Sequence, residues 1–599
     1  MSYVSSSYTT LLARLKDRKL VQWALAYGAV AWLVLQVLDV TAGPWGLSDV
    51  VVRVTQAALV VGFFVVLVLA WYHGEQGRQR VSGPELLMIA GILLIAGLLT
   101  SLFIAPGDRI VDGSVATVTE PTAAPDPTRP SIAVLPLTNM SGADGDRYFT
   151  DGIHEEILTR LAQVEGLRVI SRTSVMGYRA PEQNLREIAQ ELGVDYIGEG
   201  SVRRAEDRVL ITFQLIDAGV DGHLWAETYE RELAPAQIFE IQGGVAQRIA
   251  SSLETRLTPE EEARISSVPT EDLEAYELYL RGREGLQRGT LEGLELAIGY
   301  FDQAIERDPR YAPAYASKAW AWSMQANLTL PPLVAMPEVK AAARRAIELD
   351  PNLAEAHTWM GFAHIHFDWD WPAAERELLT ALELNGNSAE ALWVYAGYLE
   401  LQGEFDQAHT YLERLRNVDP SSILHRVWLG FTWNYYFARR YDEAIAEGTQ
   451  DREIFPDVPA AHLALGLALA GTGRFEEAVE VFEEASSLDD SPLYQAFLAW
   501  GLAEAGRESE ARELLTQVEE ISEARYICKY EIAVVHVALR DPDAAFEWLD
   551  RGFEDRAGCM SFLKVDPRLD AVREDPRYAE ALRRADFTSS ASITGTQAP

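Results

Sequence analysis

The second half of the chain repeats one pattern of small, bulky and helix-ending positions about every 34 residues. A small residue opens the second helix of each predicted pair, a bulky residue often follows four positions later, and Pro or Gly ends the pair. The small positions are Ala297, Ala374, Ala408, Ala444, Ala478 and Ala511. Alanine at a helix crossing lets two backbones approach closely, and one pair cannot bury its own apolar face. The pattern therefore predicts stacked helix pairs, forming a superhelix, over residues 270–585.

These positions resemble the tetratricopeptide repeat, with breakers such as Asp308-Pro309, Asp350-Pro351 and Asp419-Pro420. The resemblance implies an array that holds a protein or peptide partner in a concave groove. In the family's register, the candidate peptide-groove residues are Trp393, Glu400, Arg426, Trp433 and Tyr436. Exposed aromatic rings in a groove are good anchors for a peptide. The alternative is that these rings pack between repeats.

The first 105 residues follow a different pattern, with long apolar runs at residues 20–40, 50–72 and 86–105. Each run is long enough to cross ~30 Å of hydrocarbon as a helix. Lys and Arg concentrate in the tail, residues 1–19, and in the loop after the second run, which places both in the cytoplasm. The sequence thus predicts a transmembrane region at 20–105, integral to a lipid bilayer, which in a bacterium is the inner membrane. The bulk of the chain is then periplasmic.

Residues 106–130 are rich in Pro, Thr, Ala and Asp and predict a flexible linker. After it, short apolar runs alternate with amphipathic stretches, which predicts a small α/β domain at 131–257. The predicted strands are 131–137, 167–170, 195–204, 208–217 and 223–232, and the predicted helices are 149–164, 185–192 and 235–257. The polar tail at 586–599 is predicted to be disordered.

Motifs in the α/β region resemble the TolB amino-terminal-like (FlgO-like) domain. They lie at residues 131–139, 148–152, 170–174, 198–203, 214–217 and 223–227. The resemblance covers residues 131–255 and implies a bacterial membrane-bound regulator. Relatives often carry a winged-helix DNA-binding domain or an adenylate cyclase domain at the N-terminus. Only about 19 residues precede the first apolar run here, so we expect no such effector domain.

The net charge and the cysteine count argue against several kinds of binding site. The net charge of -38 repels a phosphate backbone, so no nucleic-acid partner is expected. The two cysteines, Cys528 and Cys559, cannot form a disulfide framework or a thiolate-rich zinc site. We expect two buried free thiols, and a single bridge is the alternative in an oxidising compartment.

Motifs for catalysis are missing from the sequence. It has no P-loop and no nucleophile elbow, and His154-Glu155-Glu156 lacks the second His of a zinc-protease helix because position 158 is Leu. We therefore expect no catalytic, cofactor or metal site and no enzymatic activity.

Together these patterns predict a multi-domain chain with three transmembrane helices, a small α/β domain and an all-α superhelix. The predicted function is a membrane-anchored scaffold or adaptor that presents its groove and its α/β domain in the periplasm. The alternative is an envelope sensor that regulates a separately encoded cyclase or transcription factor. The oligomeric state is left open.

Overall fold

The fold was obtained as a computed structural model, which describes residues 129–141, 146–179, 184–205, 207–220, 222–326, 329–421, 426 and 429–587. The predicted tail at 1–19, the apolar runs between residues 20 and 105, and most of the predicted linker lie outside the described residues. So does the C-terminal stretch at 588–599.

The predicted fold class with three transmembrane helices, and the multi-pass inner-membrane localisation drawn from it, need correction. Across the described ranges, no helix is both long enough and apolar enough to cross a membrane. The two longest helices there have 18 residues each and carry charged side chains, such as Arg248 in Pro235–Ser252 and Lys340 in Pro332–Leu349. One face of each helix is polar because it meets water. The observed fold is a mostly helical repeat superhelix with a small sheet region.

The sheet combines parallel and antiparallel strands in the order β3-β1-β4-β5-β6, with β2 beside β4. Its strands are β1 (Ser131–Val134), β2 (Thr138–Asn139), β3 (Arg168–Val169), β4 (Tyr196–Ala205), β5 (Arg208–Asp217) and β6 (Gly222–Glu232). β1 runs parallel to β3 and β4, whereas β4, β5 and β6 form an antiparallel meander. Burial alternates along β5, with Val209, Ile211 and Phe213 buried, because helices cover one face of the sheet.

Helices α1 to α5 accompany the sheet, and their ends follow local signals. They are α1 (Arg147–Ala162), α2 (Arg172–Val175), α3 (Leu185–Leu192), α4 (Pro235–Ser252) and α5 (Pro259–Ile265). Asn184 and Glu187 form a capping box at the start of α3, and Gly193 ends it at a φ of 62°. A left-handed residue at this position favours glycine.

The array continues as paired helices, followed by one last helix, α22. The helices are α6 (Leu273–Gln287), α7 (Leu291–Arg307), α8 (Ala312–Gln325), α9 (Pro332–Leu349), α10 (Ala354–Ala363), α11 (Trp371–Leu384), α12 (Ala389–Gln402), α13 (Phe405–Val418), α14 (Phe431–Phe437), α15 (Tyr441–Ile454), α16 (Pro459–Gly471), α17 (Phe475–Leu488), α18 (Pro492–Glu504), α19 (Glu508–Ile521), α20 (Lys529–Ala538), α21 (Pro542–Glu554) and α22 (Pro576–Arg584). All the small positions that open second helices are fully buried. The predicted helical repeats are confirmed.

Two local features keep the repeats in register. The turns within pairs have positive φ at Gly403 and Gly473, and Arg439 and Arg540 take the same left-handed conformation at corresponding turns. First helices carry glycine where a second helix approaches: a Cβ on Gly361 would meet the Leu378 side chain at 2.7 Å. Small residues therefore set the spacing between paired helices.

The sheet region packs directly on the array through polar contacts near α2 and α13. The Ser174 hydroxyl donates to Asp419 at 2.7 Å, and the Ser171 hydroxyl donates to the same carboxylate. The Ser171 N–H donates to the Val418 carbonyl at 2.6 Å. The Asn387 amide donates to the carbonyls of Ala162 and Leu167 at 3.1 and 3.0 Å. These bonds hold α2 and β3 against the loops between repeats.

A second contact joins α1 to the first repeats. The Arg283 guanidinium bonds Glu155 of α1 and, at 3.0 Å, Glu355 of α10. Burial acts to raise the pKa of Glu155, but Arg283 and Arg172 outweigh it and lower that pKa. Burial raises the pKa of Glu355 to about 7. Arg283 thus compensates two carboxyl groups whose burial alone would be costly.

We predict that Asp419→Ala loosens the sheet region from the array. The variant leaves two serine hydroxyls without their acceptor, so the free energy of unfolding falls by about 1–3 kcal/mol. Hydrogen exchange of residues 168–175 should accelerate with it. Asp350→Ala is the matched control because Asp350 also precedes a proline between repeats, while its carboxylate accepts from Asn352 in its own loop. Equal exchange at 168–175 in both variants would contradict the prediction.

Candidate functional site

The first helix of each pair forms the inner, concave layer of the array. Successive first helices contact one another, as α8 does with α10, α10 with α12, and α18 with α20. Large rings project from this layer on α14, α18 and α20, at Trp433, Tyr436, Trp500 and Tyr530. All of these rings are buried. Their burial raises the question of what covers them.

The chain's own end covers part of the concave layer. We call residues 556–587 the C-terminal segment. Phe562 of this segment stacks on Trp433 with ring centroids 6.3 Å apart and lies 5.8 Å from Phe437. Farther along, the Phe587 ring stacks on Trp371 at 4.6 Å, and the Trp371 indole N–H donates to the Ala585 carbonyl at 2.8 Å. The segment thus runs from α21 back to the start of α11.

An ionic cluster without solvent access anchors the middle of the C-terminal segment. The Arg568 guanidinium bonds Glu531 of α20 and Asp566, each at 2.7 Å, and their side chains are at most 6% exposed. The Tyr530 hydroxyl donates to Asp566 at 2.8 Å. Burial raises the pKa of Glu531, and Arg568 opposes that rise. The Arg568 guanidinium also lies 4.8 Å from the centroid of the Phe497 ring.

A disulfide ties the C-terminal segment to the last repeat. Cys528, which precedes α20, is bonded to Cys559, with Cα atoms 6.5 Å apart and a sequence separation of 31. The expectation of two free thiols was therefore wrong, and the alternative of one bridge is what the structure shows. Closing a loop of this length restricts the unfolded chain and stabilises the fold by roughly 3–4 kcal/mol in the chain-entropy model.

Beside the C-terminal segment the concave layer stays open as a cavity of about 250 Å³. Its walls include Tyr436, Tyr441, Leu467, Ala470 and Trp500 from the helices, and Pro567 and Asp570 from the segment. Arg439 and Arg540 lie at its rim, and Arg439 pairs with Asp570 at 2.6 Å. The Trp500 indole N–H is buried and has no hydrogen-bond partner in the described part of the chain. The cavity is thus aromatic with a polar edge.

The sequence-predicted groove residues have separate surroundings in the structure. Trp433 and Tyr436 lie together under the C-terminal segment, and Tyr436 also lines the cavity. Trp393 is buried on α12. Arg426 pairs with Asp451 at 3.2 Å.

Glu400 has the least usual environment of the five. Its side chain is fully buried in α12, and neither carboxyl oxygen has a hydrogen bond of normal geometry among the described residues. Burial raises the pKa of Glu400 well above its ordinary value, and the nearby Asn434 amide offsets this only in part. Burial therefore favours the protonated, neutral form of this carboxyl.

Several residues of the site could not be assigned from the helical register alone. Phe562, Asp566 and Arg568 lie beyond the last repeat, and Trp500 belongs to the repeat marked by Ala511 but was not assigned to the groove. The available signal was the repeated Asp-Pro pair at 566–567 and 575–576, which resembles the closing part of similar arrays. That pattern marks a segment but does not say which helices it contacts.

Comparison with known proteins confirms the repeats. The tetratricopeptide-repeat profile matches residues 370–422 and 433–492. “Putative adenylate cyclase 3” of Rhizobium meliloti is 39% identical over 248 residues, covering 40% of this chain and 40% of that protein. The transcriptional regulator HilA of Salmonella typhimurium is 24% identical over 464 residues, covering 75% of this chain and 79% of HilA. The chain thus spans less than half the length of the cyclase relative.

Alignments to solved structures have low scores. Yeast Tom70 aligns with a TM-score of 0.34 and 12% identity over 94% of this chain and 99% of Tom70. The human IFIT1 dimer aligns with a TM-score of 0.36 and 14% identity over 53% of this chain and 80% of that chain. Scores this low say nothing about function. The repeat fold itself is one that typically binds other proteins rather than catalysing reactions.

We predict that Arg568→Met lowers the free energy of unfolding by about 3–5 kcal/mol, because it leaves the carboxylates of Glu531 and Asp566 buried without their cation. Urea denaturation measures this loss. The control is Arg577→Met, since Arg577 is 44% exposed where it pairs with Asp543. An exposed pair contributes only about 0–1 kcal/mol. Similar losses in the two variants would show that the buried cluster does not anchor the segment.

We predict that Glu400→Gln stabilises the protein at pH 8 by roughly 1–3 kcal/mol, since it removes a buried titrating group. The folded-state pKa of Glu400 is raised, so the wild type loses stability as pH rises from the unfolded pKa through the folded one. The advantage of the variant should therefore shrink as the pH falls to 4. Thermal melts at both pH values test this, with the exposed neighbour Glu404→Gln as control. An advantage that grows at low pH would refute the assignment.

Proposed function

We propose that this protein is a scaffold that holds a protein or peptide partner on the concave side of its repeats. The observation that carries the proposal is the aromatic cavity left open beside the C-terminal segment. The match to tetratricopeptide repeats supports it, because such arrays present concave surfaces for binding.

The size of the cavity favours one side chain of a partner over a whole small molecule. Its volume of about 250 Å³ falls below the range of roughly 300–1,000 Å³ that is typical of small-molecule sites. A buried aromatic or aliphatic anchor surrounded by polar contacts is the usual centre of a protein interface. The cavity supplies rings on its floor and the Arg439, Arg540 and Glu504 side chains around it. Burial raises the pKa of Glu504, which lessens the charge that the site presents.

The partner binds beside the C-terminal segment and does not replace it. Met560, Leu563 and Leu569 of the segment are fully buried. Exposing three such side chains costs about 5–9 kcal/mol. That cost rivals the whole binding free energy of a micromolar ligand, about 8 kcal/mol. The disulfide at Cys559 adds a covalent restraint.

Within the predicted groove we assign the partner contact to Tyr436. Trp433 supports the C-terminal segment through Phe562, and Arg426 orients Asp451. Trp393 and Glu400 are buried in α12, so we propose that they support the groove without touching the partner.

The proposal extends to residues 131–257 as a TolB amino-terminal-like domain that positions the array. Two of the motifs that carry this resemblance lie where the sheet region contacts the repeats. Residues 148–152 begin α1, which contacts Arg283 through Glu155, and residues 170–174 contain the serines that bond Asp419. We propose that the motifs mark this junction with the repeats.

A second candidate function is a sensor that regulates a separately encoded cyclase or transcription factor. The matches to the Rhizobium meliloti protein and to HilA favour it, because both relatives are named for signalling or transcription. Both functions use the same binding site. They differ in the identity of the partner, which is a cyclase or DNA-binding regulator in the second case and another protein in the first.

We predict that substitutions in the wall and at the rim of the cavity weaken partner binding. Ala470→Phe places a ring in the cavity, and Arg540→Glu reverses a charge at its rim, so each should reduce recovery of the partner in affinity capture at least about tenfold, a loss of ~1.4 kcal/mol. Ala236→Phe is the matched control, since Ala236 is exposed on α4, away from the concave layer.

Thermal melts verify that the variants remain folded. The proposal fails if both cavity variants capture the same proteins as the control. The mass-spectrometric identity of the partner then separates the two functions.

A further inference from the structure

Strand β6 forms an exposed edge of the sheet. It has 11 residues, and β5 pairs with it along one side. Within the described ranges no strand pairs with its other side. Such an edge presents a row of backbone N–H and C=O groups that accept an added strand.

The side chains on one face of β6 form an ordered row. Trp225, Glu227, Tyr229 and Arg231 lie opposite buried residues of β5, so they share the face that the helices cover. The Trp225 indole N–H and the Tyr229 hydroxyl both donate to the Glu227 carboxylate, each at 3.3 Å. Arg231 lies at the end of the row, 4.0 Å from Glu240 of α4. The row thus carries an acid and a base at equal distances from a central tyrosine.

We propose that β6 pairs antiparallel with β6 of a second copy of this chain, about a two-fold axis at Tyr229. The pairing joins two sheets into one continuous sheet. In this register Glu227 lies opposite Arg231 of the partner subunit, and the two-fold axis creates the same pair twice. Opposite charges directly across an antiparallel pair are stabilising.

Neighbouring registers are less favourable. Residues directly opposite each other in an antiparallel pair point to the same face of the sheet. In a symmetric pair the two-fold axis therefore passes beside a residue, and each alternative register moves this axis by one residue along β6. An axis at Glu227 or at Glu230 places a glutamate against its own copy, and like charges directly opposite are destabilising. An axis at Thr228 leaves Arg231 opposite Trp225 and without a carboxylate. The register at Tyr229 is the one that matches both charges.

Self-complementarity is what identifies a second copy as the occupant. One face of the strand carries an acid, a tyrosine and a base in that order. When a second copy runs antiparallel, its base lies opposite the acid of the first copy, and its acid lies opposite the base. A net charge of -38 on the whole chain opposes the approach of two copies. Salt screens that long-range repulsion, whereas contacts within a paired strand are short-range.

Sedimentation equilibrium of the purified full chain tests the proposal with a charge swap. Arg231→Glu or Glu227→Arg alone creates two like-charge pairs per dimer and should weaken association about 10- to 30-fold. The double variant Glu227→Arg/Arg231→Glu restores both pairs and should recover dimerisation. Arg203→Glu, an exposed reversal on β4, is the control and should leave association unchanged.

Three results would overturn the proposal. They are a monomeric wild type at micromolar concentration, single variants that associate like the wild type, and a double variant that stays weakened. If the wild type is monomeric and another protein protects β6 from hydrogen exchange, the edge belongs to a different partner. Since β6 lies apart from the concave cavity, these outcomes are distinguishable from the loss of partner capture.

Discussion

The apolar inner face of each helix pair is the constraint on which the structure depends. One pair cannot bury this face alone, so neighbouring pairs stack and cover most of it. Stacking leaves the rings that point to the concave side, including Trp433 and Tyr530. The C-terminal segment covers these rings with Phe562 and with the buried Asp566–Arg568 pair. The C-terminal segment therefore covers part of the concave side of the array.

The same constraint explains where the charged groups lie. Arg568 is buried because Glu531 and Asp566 compensate it, and Arg283 is largely buried because Glu155 and Glu355 do so. Each cluster fixes one contact between segments that are distant in sequence. One holds the C-terminal segment on α20, and the other holds α1 on the first repeats. The sheet region shares one hydrophobic core with the first repeats, whereas the later repeats and the C-terminal segment form a second core.

Local signals explain how closely several elements could be predicted. The predicted and observed bounds coincide for α3 and for β5, where a capping box, Gly193 and an alternation of buried positions over most of the strand act within a few residues. β1 ends at Val134, three residues before its predicted end, because Pro136 cannot donate a ladder hydrogen bond. α4 ends at Ser252, five residues before its predicted end, where Leu253 leaves the helical conformation. The observed end of a strand or helix therefore differs from the predicted end where one residue stops the element before its apolar pattern ends.

The sequence by itself determined the helix pairs, their small crossing residues and the strands of the meander, because these depend on periodicities within one element or one repeat. It could not place the C-terminal segment, pair Cys528 with Cys559, or show that Trp433 and Tyr436 lie beneath the chain's own end. Those features depend on contacts between residues far apart along the chain. The superhelix brings such residues together only after the repeats have stacked, so the tertiary structure alone decided which part of the concave surface stays open.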